Sequence, residues 1–295
     1  MTGEEPQDPR TKYTTADFPT QEQGQPGMTD ETRPTPDHGE QTYPSGDRLF
    51  GRSALITGGD SGIGRAVALA FAREGADVAI AHLPEERPDA MGVCELIEDA
   101  GRRAVSFAGD VRDEDFATSI VAETLMSLGR LDVLVLNAAY QKDRDGLENL
   151  ATDEMDRVFR TNLYGLMWTA RAAVPHLRPG ASIIVTTSIQ AFDPSPGLID
   201  YAMTKAAQVA FVKALAAELG PRGIRVNGVA PGPIWTPLIP ATGFDEEKLQ
   251  NFGADTPLGR AGQPAELAGA YVYLASEAAS YVSGAIIPVT GGRPL

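Results

Sequence analysis

Beyond Phe50 the chain alternates short apolar runs with longer stretches in which apolar residues recur at helical spacing. Ala54-Leu55-Ile56, Val78-Ala79-Ile80, Val133-Leu134-Val135 and Ile183-Ile184-Val185 are apolar on consecutive residues, as strands are when helices cover both faces of a parallel sheet. The pattern predicts strands near 53–57, 77–81, 103–107, 132–136, 182–187, 224–229 and 285–289, with helices filling the intervals. Such alternation implies an α/β fold: a single doubly wound domain around a mostly parallel sheet of about seven strands.

Residues 1–49 read differently. They hold seven of the 22 prolines and ten acidic against four basic residues, and no valine or isoleucine. A segment so poor in apolar residues cannot build a core of its own. The expectation is a solvated polar, Pro-rich tail before a catalytic domain spanning 50–295, with Tyr13, Phe18 and Tyr43 as isolated points that can dock it on a surface.

Charge and cysteine content narrow the function classes. Against 25 Lys+Arg stand 40 Asp+Glu, a net charge of −15, which repels phosphate backbones and anionic lipid and argues against nucleic-acid binding. No run approaches the ~18 apolar residues of a membrane span. Cys94 is the only cysteine, so neither an internal disulfide nor a Cys-rich zinc site can form, and no metal site is expected. With no secretion-signal pattern at the N-terminus, the expected compartment is the cytoplasm.

The first predicted strand runs into Thr57-Gly58-Gly59-Asp60-Ser61-Gly62-Ile63-Gly64 and then a helical pattern with Val67, Leu69, Ala70 and Phe71. Glycines in a strand–turn–helix let a pyrophosphate approach the backbone, and free N–H groups at the helix start attract its charge. The context therefore marks a Rossmann-type dinucleotide site, where a tight connection is the plainer alternative. Gly59 and Gly64 have phosphate-loop spacing, but Arg65-Ala66 follow where that loop needs Lys and Ser or Thr, so an ATPase is disfavoured. At later strand ends Asp110-Val111 can meet an adenine amine or start the next helix. Asn137-Ala138 can line the cleft or simply make a turn.

Tyr201 and Lys205 stand four apart in a helical pattern and share one face. A cation near a phenol stabilises the phenolate and makes the tyrosine a usable acid/base; a surface tyrosine beside a snorkelling lysine is the alternative. Ser188 follows the fifth strand at the ligand-binding edge, where its hydroxyl can polarise a carbonyl oxygen. Asn162 lies mid-helix, where asparagine needs a buried water or backbone partner as its reason.

Taken in order, Thr57-Gly58-x-x-x-Gly62-x-Gly64, Asp110, Asn137-Ala138, Asn162, Ser188, Tyr201-x-x-x-Lys205 and Pro231-Gly232 resemble the short-chain dehydrogenase/reductases across nearly all of residues 50–295, within them a subgroup with a long polar N-terminal tail. The resemblance implies an NAD(P)-dependent enzyme interconverting a carbonyl and an alcohol. In it Tyr201 is general acid/base, Lys205 binds the nicotinamide ribose and lowers the tyrosine pKa, Ser188 positions the substrate oxygen, and Asn162 holds a proton-relay water. It further implies a cofactor site formed by Gly58, Asp60, Ser61, Gly62, Ile63, Gly64, His82, Asp110, Val111, Asn137, Ala138, Pro231, Gly232 and Ile234 together with Tyr201 and Lys205. Two departures are visible: Leu136-Asn137-Ala138-Ala139 replaces the family's Asn-Asn-Ala-Gly, and the polar tail precedes the domain. The three-residue Tyr–Lys gap argues against resemblance to enoyl reductases, whose gap is longer. A non-catalytic dinucleotide sensor on the same fold is the competing reading.

Three further expectations concern ligand and assembly. The apolar stretch Pro233–Pro240, with Trp235, Leu238 and Ile239, reads either as a substrate lid or as packing against a neighbouring subunit, and Tyr140, Gln141, Gln190 and Phe192 can also face substrate. The second strand ends in His82-Leu83-Pro84 without the usual acidic NAD marker or a basic NADP marker. With Asp60, Glu85 and Glu86 nearby and only Arg65 and Arg87 as candidate cations, a preference for NAD follows, NADP being the alternative. Wide apolar surfaces on helices near 154–177 and 202–219 suggest the family's homotetramer, with the tail across a neighbour.

Overall fold

The computed structural model describes residues 18–43 and 46–295; Tyr13 lies outside the described residues. Seven strands form one parallel sheet in the order β3-β2-β1-β4-β5-β6-β7. They are β1 (Ser53–Thr57), β2 (Asp77–His82), β3 (Ala104–Ala108), β4 (Val133–Leu136), β5 (Ser182–Thr186), β6 (Arg225–Pro231) and β7 (Ile286–Val289), each within about two residues of its expected place. β1, β2, β4 and β5 are buried along their whole length, which is why their sequences are continuously apolar rather than alternating.

Helices α1 (Gly62–Arg73), α2 (Arg87–Asp99) and α9 (Pro264–Ala275) share one apolar layer with the sheet. On the opposite face pack α3 (Glu114–Leu128), α5 (Leu166–Ala173) and α6 (Ile199–Leu219). The helix expected over 154–177 is interrupted: α4 (Thr152–Phe159) enters α5 through one π-type turn at Arg160–Gly165. Two short helices, α7 (Leu238–Ala241) and α8 (Glu246–Gln250), follow β6.

The topology fixes where a ligand can sit. β1 pairs with both β2 and β4, and the register aligns Thr57 with Ala81 on one side and Leu136 on the other. Strand order reverses there, so the carboxyl ends open a crevice between them. Leu136 pairs in turn with Val185, and Thr186 with Val229, which brings the ends of β4, β5 and β6 to the same edge.

The N-terminal segment departs from the solvated tail its composition suggests. Phe18 stacks on Trp235 with ring centroids 3.8 Å apart, and the Trp235 indole N–H donates to the Pro34 carbonyl at 2.7 Å. Asp37 N–H donates to Gln263 Oε1 at 2.9 Å and the Asp37 carbonyl accepts from Ala265 N–H at 3.0 Å. Arg73 donates to the carbonyls of Gly39 and Glu40, and Arg65 pairs with Glu40 at 3.1 Å. The segment thus covers its own domain through main-chain hydrogen bonds and one aromatic anchor, interactions that need little hydrophobicity. Nor do its described residues need a neighbouring subunit to lie on. Gly27 passes so close to the loop after β6 that an added Cβ would stand 2.2 Å from the Pro237 carbonyl oxygen, so a side chain there would force the segment away.

Candidate active site

A cavity of about 1310 Å³ opens along the carboxyl edge of the sheet. Its floor at β1 is the glycine turn. Gly58 and Gly62 adopt φ of +62° and +50°, conformations that L side chains rarely take. A Cβ on Gly64 would fall 1.8 Å from the Gly58 carbonyl oxygen, so Gly64 lies beneath the turn instead of lining the cavity. Helix α1 starts at Gly62 with no side-chain cap from Ser61 and no acidic residue in its first turn, leaving its free N–H groups for an anion. These features fit a dinucleotide pyrophosphate.

Asn137 secures this turn from below. Its Nδ2 donates to the carbonyls of Gly58 at 2.9 Å and Thr57 at 3.2 Å, while its Oδ1 accepts from the Thr186 hydroxyl at 3.0 Å. One side chain therefore ties together the ends of β1, β4 and β5. Ala138 and Ala139 line the cavity beside it. Thr57, which opens the glycine motif, and Thr186, which has no role in the sequence reading, complete the clamp: the Thr57 hydroxyl accepts from the N–H groups of Asn137 and Ala138 at 3.0 and 3.1 Å. Both are hydroxyls at strand ends, the one signal that could have singled them out for it.

Ser188, Tyr201 and Lys205 reach the cavity together. Ser188 stands just after β5 and its Oγ accepts from Gln190 N–H at 3.1 Å; its hydroxyl lies close enough to the Tyr201 phenol to favour the ionised form. From α6, Lys205 Nζ lies 5.3 Å from the Tyr201 ring centroid and donates to the Thr186 carbonyl at 2.7 Å and Gln208 Oε1 at 3.1 Å. Burial pushes the phenol up to about 12, opposed by the Ser188 hydrogen bond, and pushes Lys205 down to about 7. Burial is the largest influence on both groups in this geometry, and at the phenol it outweighs the Ser188 hydrogen bond. At neutral pH Tyr201 is a protonated phenol, which suits a proton donor.

Asn162 stands behind the cavity wall. Its Oδ1 accepts from Tyr140 N–H at 2.8 Å, and its Nδ2 donates to the Tyr140 carbonyl and Thr204 Oγ1, both at 3.0 Å. A backbone partner is thus the reason for an asparagine in that helix, and it braces the turn after β4.

Asp110 engages its own loop. Burial works against its charge, but Arg112 hydrogen bonds through its backbone N–H and Nε, each at 2.8 Å, hold the carboxyl below its usual range. The α3 N-cap is Asp113, which accepts from Asp115 N–H. Asp110 and Val111 still line the cavity, as do Pro231, Gly232 and Ile234 opposite.

At the far end of the cavity His82 turns Nδ1 to the Leu83 carbonyl at 2.7 Å. Asp60 is buried with its Oδ2 unpartnered, and Glu86 caps Leu83 N–H at 2.9 Å. Burial, then mutual repulsion with neighbouring carboxylates, raises Asp60 to about 7 and Glu86 to about 8.

On the substrate side, Leu238 and Ile239 line the cavity, but the third residue of that stretch does not. Trp235 is fully buried, covered by Phe18 rather than by a nicotinamide or another subunit. Tyr140, its hydroxyl tied to Glu154 at 2.9 Å, lines the cavity with Gln141 and Gln190, and Phe192 does not. Gln25, Pro26 and Gly27 of the N-terminal segment do line it. Their chain distance from the domain hid them.

A family model described as enoyl-(acyl carrier protein) reductase matches residues 58–293. The glucose and ribitol dehydrogenase of Daucus carota is 44% identical over 281 residues, covering 93% of this chain and 96% of its own. Among solved structures, a short-chain dehydrogenase of Burkholderia cenocepacia in complex with NADP superposes with a TM-score of 0.78 at 33% identity, over 83% of this chain and 98% of that one. The 3-ketoacyl-(acyl-carrier-protein) reductase of Brucella melitensis complexed with NADH gives 0.75 at 33% identity, over 84% and 100%. The chain belongs to the short-chain dehydrogenase/reductase family and is an oxidoreductase of that family. The family model bears the name of the branch that the Tyr–Lys gap set aside, while these relatives and neighbours carry dehydrogenase and ketoreductase names.

Proposed function

We propose that the protein interconverts a ketone or aldehyde and the corresponding alcohol, with Tyr201 as general acid/base. The observation that carries this reading is the convergence of Ser188, Tyr201 and Lys205 on the cavity that also holds the glycine turn. A dinucleotide sensor would have no use for a phenol and a hydroxyl side by side at that wall.

The bound dinucleotide supplies or accepts the hydride. In the reducing direction Tyr201 gives its phenolic proton to the carbonyl oxygen, and Ser188 holds that oxygen by a second hydrogen bond. The ammonium of Lys205 stabilises the phenolate left behind. Lys205 and Tyr201 would also hold the nicotinamide ribose. Gly58, Ser61, Gly62 and Ile63 would hold the pyrophosphate, and Asp60, His82, Asp110 and Val111 the adenosine.

NAD is the favoured cofactor on electrostatic grounds. Buried Asp60 and half-buried Glu86 stand at the proposed ribose end with Glu85 and Asp89 beside them, and this acidic cluster disfavours a further 2′-phosphate charge, whereas a ribose hydroxyl pairs with a carboxyl in either state. Of the candidate cations, Arg65 is engaged by Glu40 and Arg87 is exposed to solvent, which screens its charge. Assayed on a panel of aldehydes, ketones and alcohols, polyols included, the enzyme is expected to change nicotinamide absorbance with a kcat/KM at least about tenfold higher for NAD, a difference of ~1.4 kcal/mol. A chain that binds dinucleotide yet turns over nothing on the panel is the sensor. A clear NADP preference sinks the electrostatic argument alone.

Assembly and compartment complete the reading. Tyr164, Met167, Ile199 and Met203 remain exposed on the π-type turn, α5 and α6, while Val158 and Val212, counted in the expected face, are core. The exposed set supports a homotetramer; sedimentation at micromolar concentration is expected to give four chains, and a monomer defeats it. No helix among the described residues is long and apolar enough to cross a membrane. With a single, partly buried cysteine, the reducing cytoplasm is the proposed compartment, and the N-terminal extension is the proposed mark of a subgroup.

A further inference from the structure

Lys205 is a buried cation that, among the described residues, forms no salt bridge with a carboxylate: its side chain is 1% exposed, and its hydrogen-bond partners are the neutral Thr186 carbonyl and Gln208 Oε1. An ammonium has three donors. Two are spent inside the protein, and the third is left for the cavity that Lys205 lines. A buried charge without a counter-ion depends on such dipoles to remain charged.

Gln208 is the less obvious of the two partners. It follows Lys205 by three residues on α6, hence on the same face, and is itself 1% exposed. Its Nε2 donates to the main-chain carbonyl of Asn162 at 2.8 Å while its Oε1 accepts from Lys205 at 3.1 Å. The amide has one orientation only, because a carbonyl cannot donate and an ammonium cannot accept. The Asn162 carbonyl belongs to the π-type turn at Arg160–Gly165, where the helical hydrogen-bond ladder changes step. The interruption of the helix and the catalytic lysine are thus joined by a single side chain.

We infer that Gln208 is a positioning residue for Lys205, bridging its ammonium to the Asn162 carbonyl and keeping the lysine charged and aimed at the cavity. The inference rests on the oxidoreductase reading above. The groups facing Lys205 are few. Tyr201 shares its helix, Tyr271 of α9 bonds the Thr186 hydroxyl at 2.7 Å, and Thr186 and Asn162 are neutral. Both phenols are pushed up by burial, so neither supplies a negative charge at neutral pH. The amide dipole of Gln208 therefore carries a large share of the ammonium's stabilisation.

The test is made on the full chain with Gln208→Met and Gln208→Glu. Two quantities are followed from roughly pH 6 to 9: the upper limb of carbonyl reduction, and the dinucleotide dissociation constant by calorimetry. Without an acceptor Lys205 loses its proton earlier, so Gln208→Met is expected to move both limbs down by about one pH unit. Gln208→Glu keeps an acceptor oxygen whether or not it is ionised, so its limbs stay at the wild-type position or rise. A Gln208→Met limb that coincides with wild type, or two variants that lose thermal stability while their limbs stay in place, reduces Gln208 to a packed core amide and overturns the inference. If Gln208→Met does not fold, Gln208→Asn, which retracts the amide by one methylene, is read on the same measurements with the same expected direction. A wild-type protein that binds dinucleotide with this pH dependence and reduces no carbonyl defeats the oxidoreductase reading while leaving the role of Gln208 standing.

Discussion

Tyr201→Phe is expected to lower kcat by about 10²- to 10⁴-fold, the usual worth of a positioned proton donor, with little change in dinucleotide affinity. The substitution keeps the buried ring and removes only the hydroxyl. Burial holds that hydroxyl protonated, with the phenol pushed up to about 12, so the reducing direction draws its proton from a group already in the right state. Ser188 remains and can still hold a carbonyl oxygen, but a serine hydroxyl is a far poorer proton donor. Single-turnover absorbance measures the chemical step, and calorimetry the binding. Near-normal turnover in Tyr201→Phe on a good substrate would show that the proton comes from elsewhere. Lys205→Ala is a useful contrast, since it removes the ammonium from both the ribose side and the phenolate and should damage binding and turnover together.

The second large effect lies away from the chemistry. Trp235→Ala should cost about 3–5 kcal/mol of stability, as expected for a large aromatic removed from a fully packed site. The indole is 0% exposed, stacked on Phe18, 6.3 Å from the Phe252 ring and bonded to the Pro34 carbonyl. Its loss opens a cavity and also detaches the N-terminal segment from the loop after β6. That loop carries Pro237 and Leu238 into the cavity wall, so KM for the carbonyl substrate should rise more than KM for the dinucleotide. Phe18→Ala, or deletion of residues 1–40, should lower the melting temperature in the same direction by exposing Trp235. If thermal unfolding of Trp235→Ala matches wild type, the segment and the loop are not coupled as the stacking implies.

Much of the fold was legible from local pattern. Strands buried on both faces are apolar without interruption, and that run is visible in Ile183-Ile184-Val185 as clearly as in the folded sheet. The glycine turn was legible because its residues are contiguous: Gly58, Gly62 and Gly64 are glycines for steric reasons that act within eight residues. Tyr201 and Lys205 shared a helix face by spacing alone, and the strand-end positions of Ser188 and Asp110 followed from chain order.

What chain order could not express is the pairing of distant groups. Asn137 reads as a turn residue until β1 and β5 stand beside β4, whereupon its amide bonds Gly58 and Thr186. Gln208 reads as one polar residue on a helix until the π-type turn presents the Asn162 carbonyl. Phe18, in a segment too polar to fold by itself, found its partner in Trp235, more than two hundred residues away. The pKa values follow the same division. Spacing puts a lysine beside a tyrosine, but desolvation depends on everything packed around the pair, and here it raises the tyrosine and lowers the lysine. Sequence by itself determined the elements, their order and the candidate reacting groups, because those depend on local sterics, periodicity and spacing. Tertiary structure alone decided burial, hydrogen-bond partners and the covering of the substrate loop, because each depends on atoms brought together from remote parts of the chain.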